Sequence, residues 1–109
     1  MPESNDRGAL TEAVYYILLS LLSPLHGYGI MQNVKSLSHE RVNLGAGTLY
    51  GAINTLVEKN WIEQVFSESD SRKKEYIITK LGRSVLGEEI SRLEELLQNG
   101  KALLERGVK

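Results

Sequence analysis

Residues 46–79 read AGTLYGAINTLVEKNWIEQVFSESDSRKKEYIIT, and within them the hydrophobic period changes once. Leu49, Ile53, Leu56 and Val57 recur at three- and four-residue steps, which is one face of a helix. Led in by Gly45-Ala46-Gly47, that helix is expected over roughly residues 46–59. Asn60 stands just past its end, where a left-handed residue is wanted, and Asn tolerates that conformation second only to Gly. From there the period drops to two. Trp61 to Phe66 reads as a strand, Ser67 to Ser71 as a turn, and Lys74 to Thr79 as a returning strand. Thr79 can then cap a further helix starting at Lys80.

Upstream, Thr11 caps a first helix running to about Leu22, with Val14, Ile17, Leu18 and Leu21 on one face. Ser23-Pro24 ends it, because the residue before proline resists the α region. A second helix starts near His26-Gly27 and places Ile30, Met31, Val34 and Leu37 at helical spacing. Ser38-His39-Glu40 closes it, and Arg41 to Leu44 reads as a short extended stretch. Downstream, the last helix reaches toward Arg106, and Leu86, Ile90, Leu93, Leu97 and Leu104 step along it by fours and threes, then seven. This is a heptad-like seam. Gly100 takes the missing seam position, a place for the helix to bend or to end.

The expected fold is therefore mainly α with a small β-hairpin, in the order of a winged helix-turn-helix followed by a long C-terminal dimerisation helix. Residues 1–8 form a polar, flexible lead-in, 9–79 the winged helix-turn-helix domain, and 80–109 the C-terminal helix.

The chain has 109 residues, 41% of them hydrophobic and 25% charged, the balance of one soluble globular domain. Cysteine is absent and there are only two histidines, His26 and His39, so no metal and no cofactor is expected. No histidine is paired with a carboxylate at a recognisable spacing, and no phosphate-cradling loop follows a strand, so catalysis is not expected. The apolar run Ala13–Leu22 is too short to span a bilayer and lacks the flanks of a signal peptide, which predicts a cytoplasmic protein without a membrane partner. Net charge is −1. Residues 26–83 alone are net positive and hold the one basic tripeptide, Arg72-Lys73-Lys74, so an anionic partner should meet the middle of the chain.

The third helix carries the candidate chemistry. Turning Leu49, Ile53 and Leu56 inward leaves Gly47, Thr48, Tyr50, Gly51, Asn54 and Thr55 on the other side, with no carboxylate before Glu58. Small residues let the backbone approach a surface, and the hydroxyls of Thr48 and Tyr50 suit phosphates. The Asn54 amide has the geometry to take adenine N6 and N7 together. On pattern alone, a polar solvent-facing helix side would look the same. Arg72 and Lys73 at the edge of the turn are placed to reach a phosphate backbone, although Glu68 and Asp70 cut the local field. Lys74 either joins them or pairs across the hairpin. Tyr28 either lies half buried or offers its hydroxyl to a phosphate. The seam leucines, left bare by so small a core, make an association site.

Three stretches carry a resemblance: HGYGI at 26–30, GTLYGAINTLVEKNWI at 47–62 and KKEYIITKLGRSVL at 73–86. Together, in this order, they resemble the PadR-type transcriptional regulators, particularly the short members with a single C-terminal helix. The resemblance implies a bacterial repressor that is a homodimer joined through its first and last helices. It also implies a third helix in the major groove, a wing on the flanking backbone, and a small aromatic or drug-like effector such as many members recognise. On that basis Tyr28, Thr48, Tyr50, Gly51, Asn54, Arg72, Lys73 and Lys74 are the expected DNA contacts. Val14, Leu18, Leu86, Ile90, Leu93, Leu97 and Leu104 are the expected dimer contacts. The chain departs from the family in lacking basic residues on the third helix's outer face and in having Asn60-Trp61-Ile62 where Gly-Leu-Ile is usual. It also has no tryptophan in the last helix to stack a planar drug. The expected function is sequence-specific repression at a roughly palindromic double-stranded operator. The alternative is a winged-helix protein-interaction module without specific DNA binding.

Overall fold

The computed structural model describes residues 8–66 and 74–107. Helix α1 spans Glu12–Ser20; the Thr11 hydroxyl accepts from the Val14 amide at 3.1 Å and caps it. After Pro24 comes a strand of two residues, β1, Leu25–His26. His26 is also the cap of α2, Gly27–Leu37, its Nδ1 accepting from the Gly29 amide at 3.2 Å. Helix α3 is Ala46–Glu58. Strands β2, Ile62–Phe66, and β3, Lys74–Ile78, follow, and α4 runs over Lys80–Glu105, about 39 Å at 1.5 Å per residue.

Three antiparallel strands form one sheet in the order β1-β3-β2. Ile62 faces Ile78 and Phe66 faces Lys74 across the hairpin, while Leu25 and His26 face Tyr76 and Glu75 on the other edge. From the sequence only the hairpin is expected. The extended stretch expected at Arg41–Leu44 forms no strand. There the Ser38 hydroxyl, fully buried, accepts from the Val42 amide at 2.9 Å. His39 and Glu40 adopt positive φ at 54° and 67°, the reversal that turns the chain.

Alternating stripes from every element meet in one core. Ile17, Leu18 and Leu21 of the first helix and its end pack with Ile30 and Val34 of α2 and with Leu49, Ile53 and Leu56 of α3. Ile62, Tyr76 and Ile78 close it from the sheet, and Val85 and Leu86 from the start of α4. Burial holds the Tyr76 phenol above its ordinary pKa, with a smaller contribution from the nearby Tyr50 phenol.

The corner between α3, the sheet and α4 is tied at Thr79. Asn60 takes φ 65° as its position requires, and the Trp61 amide bonds back to the Leu56 carbonyl at 3.0 Å. The Thr79 amide donates to the Trp61 carbonyl at 2.9 Å, and its hydroxyl lies 2.7 Å from the Asn60 carbonyl oxygen. That hydroxyl also accepts from the Gly82 amide, capping α4. Gly82 is obligatory here, since an added Cβ would sit 2.1 Å from the Trp61 carbonyl oxygen.

Helix α4 continues through Gly100 without ending there. Only its first turns are buried. Glu89 closes that section: its carboxylate accepts from Arg92 Nε and Nη2 at 2.9 and 2.6 Å and from the Leu10 amide at 3.3 Å. The hydrogen bond that Arg92 donates to Glu89 raises the Arg92 pKa. Beyond it the helix runs clear of the domain, exposing Ile90, Leu93, Leu96, Leu97, Leu103 and Leu104. Two residues expected at the dimer contact, one on α1 and one on α4, are not exposed in this structure. Leu18, on the inward stripe of α1, and Leu86, in the first turns of α4, are buried in the chain's own core. Val14 is half-buried.

Candidate nucleic-acid interface

Helix α3 presents its outward side through the same periodicity that buries Leu49, Ile53 and Leu56. Thr48, Gly51 and Asn54 are all exposed. The Asn54 amide makes no hydrogen bond to any described residue, so both its donor and its acceptor remain available. The Thr55 hydroxyl is instead turned back to the Gly51 carbonyl at 3.2 Å.

The N-terminal end of α3 is open. Gly45 is its N-cap and has no side chain to accept a bond, so the first amides of the helix are left for water or an incoming anion. Added Cβ atoms at Gly45, Gly47 and Gly51 would meet nothing within 4 Å. This end of the helix is therefore both positive in dipole and low in relief. Gly45 as a bare cap was not singled out from the sequence, where Gly45-Ala46-Gly47 reads only as a lead-in.

Tyr50 lies at the edge of this surface. Its hydroxyl packs so closely on α2 that a Cβ at Gly27 would lie 2.1 Å from it, while the residue remains 44% exposed. Tyr50 thus braces α3 against the start of α2. Tyr28, in that same first turn, is 63% exposed, and its hydroxyl accepts from Gln32 Nε2 at 2.8 Å. The half-buried alternative for Tyr28 does not hold, since the residue lies exposed in the first turn of α2.

On the hairpin, Lys74 is exposed and faces Phe66, itself 77% exposed. The turn expected at Ser67–Ser71, together with Arg72 and Lys73, lies outside the described residues. Phe66 was missed as a surface feature, although its place as the last apolar residue before a polar turn was visible. Glu63 and Gln64 are the exposed polar residues of β2.

Among the described residues no cluster of histidine and acidic side chains could hold a metal ion. No helix among them is long and apolar enough to cross a membrane.

Comparison with known proteins agrees with this geometry. The family model described as the transcriptional regulator PadR-like family matches residues 17–88, from within α1 to the first turns of α4. No curated protein matches the sequence. Among solved structures, a transcriptional regulator from Clostridium thermocellum superposes with a TM-score of 0.64 at 23% identity, covering 89% of this chain and 92% of that one. A PadR family transcriptional regulator from Eggerthella lenta gives 0.64 at 25% identity, over 84% and 76%. BpsR of Bordetella bronchiseptica gives 0.64 at 19% identity, over 93% and 69%. With the family's pattern running through the core, the sheet and the exposed third helix alike, the chain belongs to the PadR-like family of transcriptional regulators.

Proposed function

We propose that this transcriptional regulator is a homodimeric, sequence-specific DNA-binding repressor. The observation that carries the proposal is the outward face of α3: small, exposed, free of carboxylates until Glu58, uncapped at its start, and bearing an Asn54 amide with no partner among the described residues. In the major groove such a face brings backbone amides to phosphate and a bidentate amide to a base edge. Tyr28 and Lys74 flank it as phosphate contacts, with Arg72 and Lys73 beside Lys74 in the chain. Thr48 supports the same role, and Tyr50 acts first as a brace.

The dimer is supported by the bare half of α4. Six apolar side chains, from Ile90 to Leu104, are exposed along it. Burying a fully exposed side chain of this kind contributes about 1.5–3 kcal/mol, and these six, most of them about half exposed, supply a corresponding part of it from each of two copies. The interface then consists of Ile90, Leu93, Leu97 and Leu104 with Val14 at its margin, and excludes Leu18 and Leu86. Two third helices would read half-sites about 34 Å apart on a roughly palindromic operator. A small aromatic effector belongs to the proposal as well. BpsR, similar in fold, has its DNA binding regulated by 6-hydroxynicotinic acid.

The test is fluorescence anisotropy with a labelled duplex from upstream of the protein's own gene against a scrambled duplex, over about 50–300 mM salt. A preference near a thousandfold, with log K falling against log salt at a slope of about −5, is expected. Weak, equal and salt-insensitive binding to every duplex tried, by a protein that is still dimeric, would instead make this a protein-interaction module.

A further inference from the structure

The described part of β2 ends on an aromatic ring in solvent. Phe66 is its last residue and, at 77% exposed, the barest aromatic side chain among the described residues. Side chains alternate along a strand, and residues paired across two strands share a face. Ile62, Gln64 and Phe66 therefore stand on one side of the hairpin, with Ile78, Tyr76 and Lys74 opposite them. Ile62, Tyr76 and Ile78 belong to the core. Phe66 and Lys74 prolong this core-facing side by two residues, about 7 Å, past the level of Tyr76, and both are exposed there.

Charge and direction identify what that end meets. Glu63 and Glu75 both alternate to the other side of the hairpin, with Val65 and Ile77. The side bearing Phe66 thus holds one ammonium, Lys74, and no carboxylate among the described strand residues. Tyr76 on this side interacts with the Tyr50 phenol of α3, and Tyr50 stands at the edge of the surface that bears Asn54. The exposed ring accordingly lies on the α3 side of the hairpin. A phosphate backbone is served by an ammonium alone and has no use for a phenyl ring. A ring with a cation beside it has the make-up of a minor-groove wedge, in which an apolar side chain enters a base step and the cation neutralises a neighbouring phosphate.

We propose that Phe66 inserts from the minor groove into a base step flanking the half-site met by α3, unstacks that step and bends the duplex, with Lys74 on the adjacent phosphate. The proposal rests on the DNA-binding reading of α3 and adds an activity to it, deformation of the operator. The sequence of the wedged step is then selected without a hydrogen bond to any base. Pyrimidine–purine steps such as TA unstack most easily and are favoured there, whereas stiff AA steps are not.

The test uses the full-length protein and the duplex from upstream of its own gene. One set is labelled at both ends for energy transfer, and a second carries 2-aminopurine, which brightens on unstacking, at successive flanking steps. The wild type is expected to bend the duplex by about 20° or more per wedge and to brighten one step on each side. Changing that step to TA should tighten wild-type binding and changing it to AA should weaken it. Phe66→Ala, at an exposed position, should keep the wild-type circular dichroism spectrum. It should lose the bend, the bright step and the TA preference, and bind roughly tenfold more weakly. Phe66→Leu should retain the bend, and Lys74→Gln should retain it while lowering the salt slope by about 1. A bend and bright step that survive Phe66→Ala, or wild-type binding that shows neither, would overturn the wedge and leave DNA binding by α3 standing. Binding to no duplex would overturn both.

Discussion

Two glycines five residues apart in α4 should respond to the same substitution with opposite signs. At Gly82 an added Cβ falls 2.1 Å from the Trp61 carbonyl oxygen and 2.7 Å from Ile78 Cγ1. Reaching ordinary contact means moving that carbonyl by about 1 Å or more. The carbonyl is held by the Thr79 amide at 2.9 Å, so the movement also strains the tie between α3 and α4. Overpacking costs about 1–3 kcal/mol and the weakened bond about 0.5–1.5 kcal/mol. The higher helix propensity of alanine returns about 1 kcal/mol. Gly82→Ala should therefore destabilise by about 1–3 kcal/mol. At Gly87 the added Cβ meets nothing within 4 Å, so only the propensity gain remains, up to about 1 kcal/mol of stabilisation. Urea unfolding followed by helical circular dichroism, at one fixed protein concentration, measures both. If Gly82→Ala were as stable as the wild type, the Trp61–Gly82 approach would not be the rigid one described above.

Asn54→Ala should lower the preference for the cognate operator by about 1–3 kcal/mol while changing nonspecific binding little; anisotropy on matched and scrambled duplexes separates the two, and equal losses would remove Asn54 from base readout. Leu93→Glu should yield monomers in sedimentation velocity, because it places a charge in the middle of the bare α4 face; a persisting dimer would put the interface elsewhere. Replacing Arg72, Lys73 and Lys74 together by alanine should flatten the salt slope by about 1 for each phosphate no longer neutralised, whereas an unchanged slope would clear the wing of any phosphate role. Tyr76→Phe should weaken the loss of stability at high pH. The buried phenol has a raised pKa, so the neutral form favours the fold below the ordinary tyrosine value and the contribution disappears as pH climbs through the folded one. Denaturation midpoints compared between pH 8 and 11, about the tyrosine range, would show it, and identical profiles would refute it.

Local chemistry explains why parts of this fold can be read directly from the chain. Thr11 and Thr79 are caps because a hydroxyl one residue before an apolar stripe has little else to do, and both make that bond. Asn60 takes its left-handed turn for a similarly local reason. The stripe Leu49, Ile53, Leu56 needs only helical geometry to face inward, which also sets Asn54 outward. What stayed hidden depends on partners distant in sequence. Two residues, Leu25 and His26, are too few to show a strand's alternation; they become one because Tyr76 and Glu75 offer a free edge. Leu86 looks like Leu93 and Leu97 in pattern. Which of them meets the chain's own core is decided by where α4 leaves the domain. Glu89 reads as one more surface carboxylate, yet it is buried because the Leu10 amide, 79 positions away, and Arg92 both reach it. The close approach at Gly82 belongs to the same class, since it does not exist until α3, the sheet and α4 have been brought to one corner.

That corner has a mechanical meaning. Because Thr79 fastens α4 to the carbonyls just past the end of α3, the long helix behaves as a shaft keyed to the winged domain, with no slack joint between them. In the proposed dimer, the choice of base and the distance between half-sites then become separate inheritances. Side chains on α3 set the first, and the way two shafts lie against each other sets the second. One residue inserted beyond Arg92, where α4 has left the core, would turn everything downstream by about 100°, leaving each winged domain intact while re-aiming it at a differently spaced operator. If the proposed dimer is formed, drift along the α4 seam would give such a regulator new target sites without altering a single base contact.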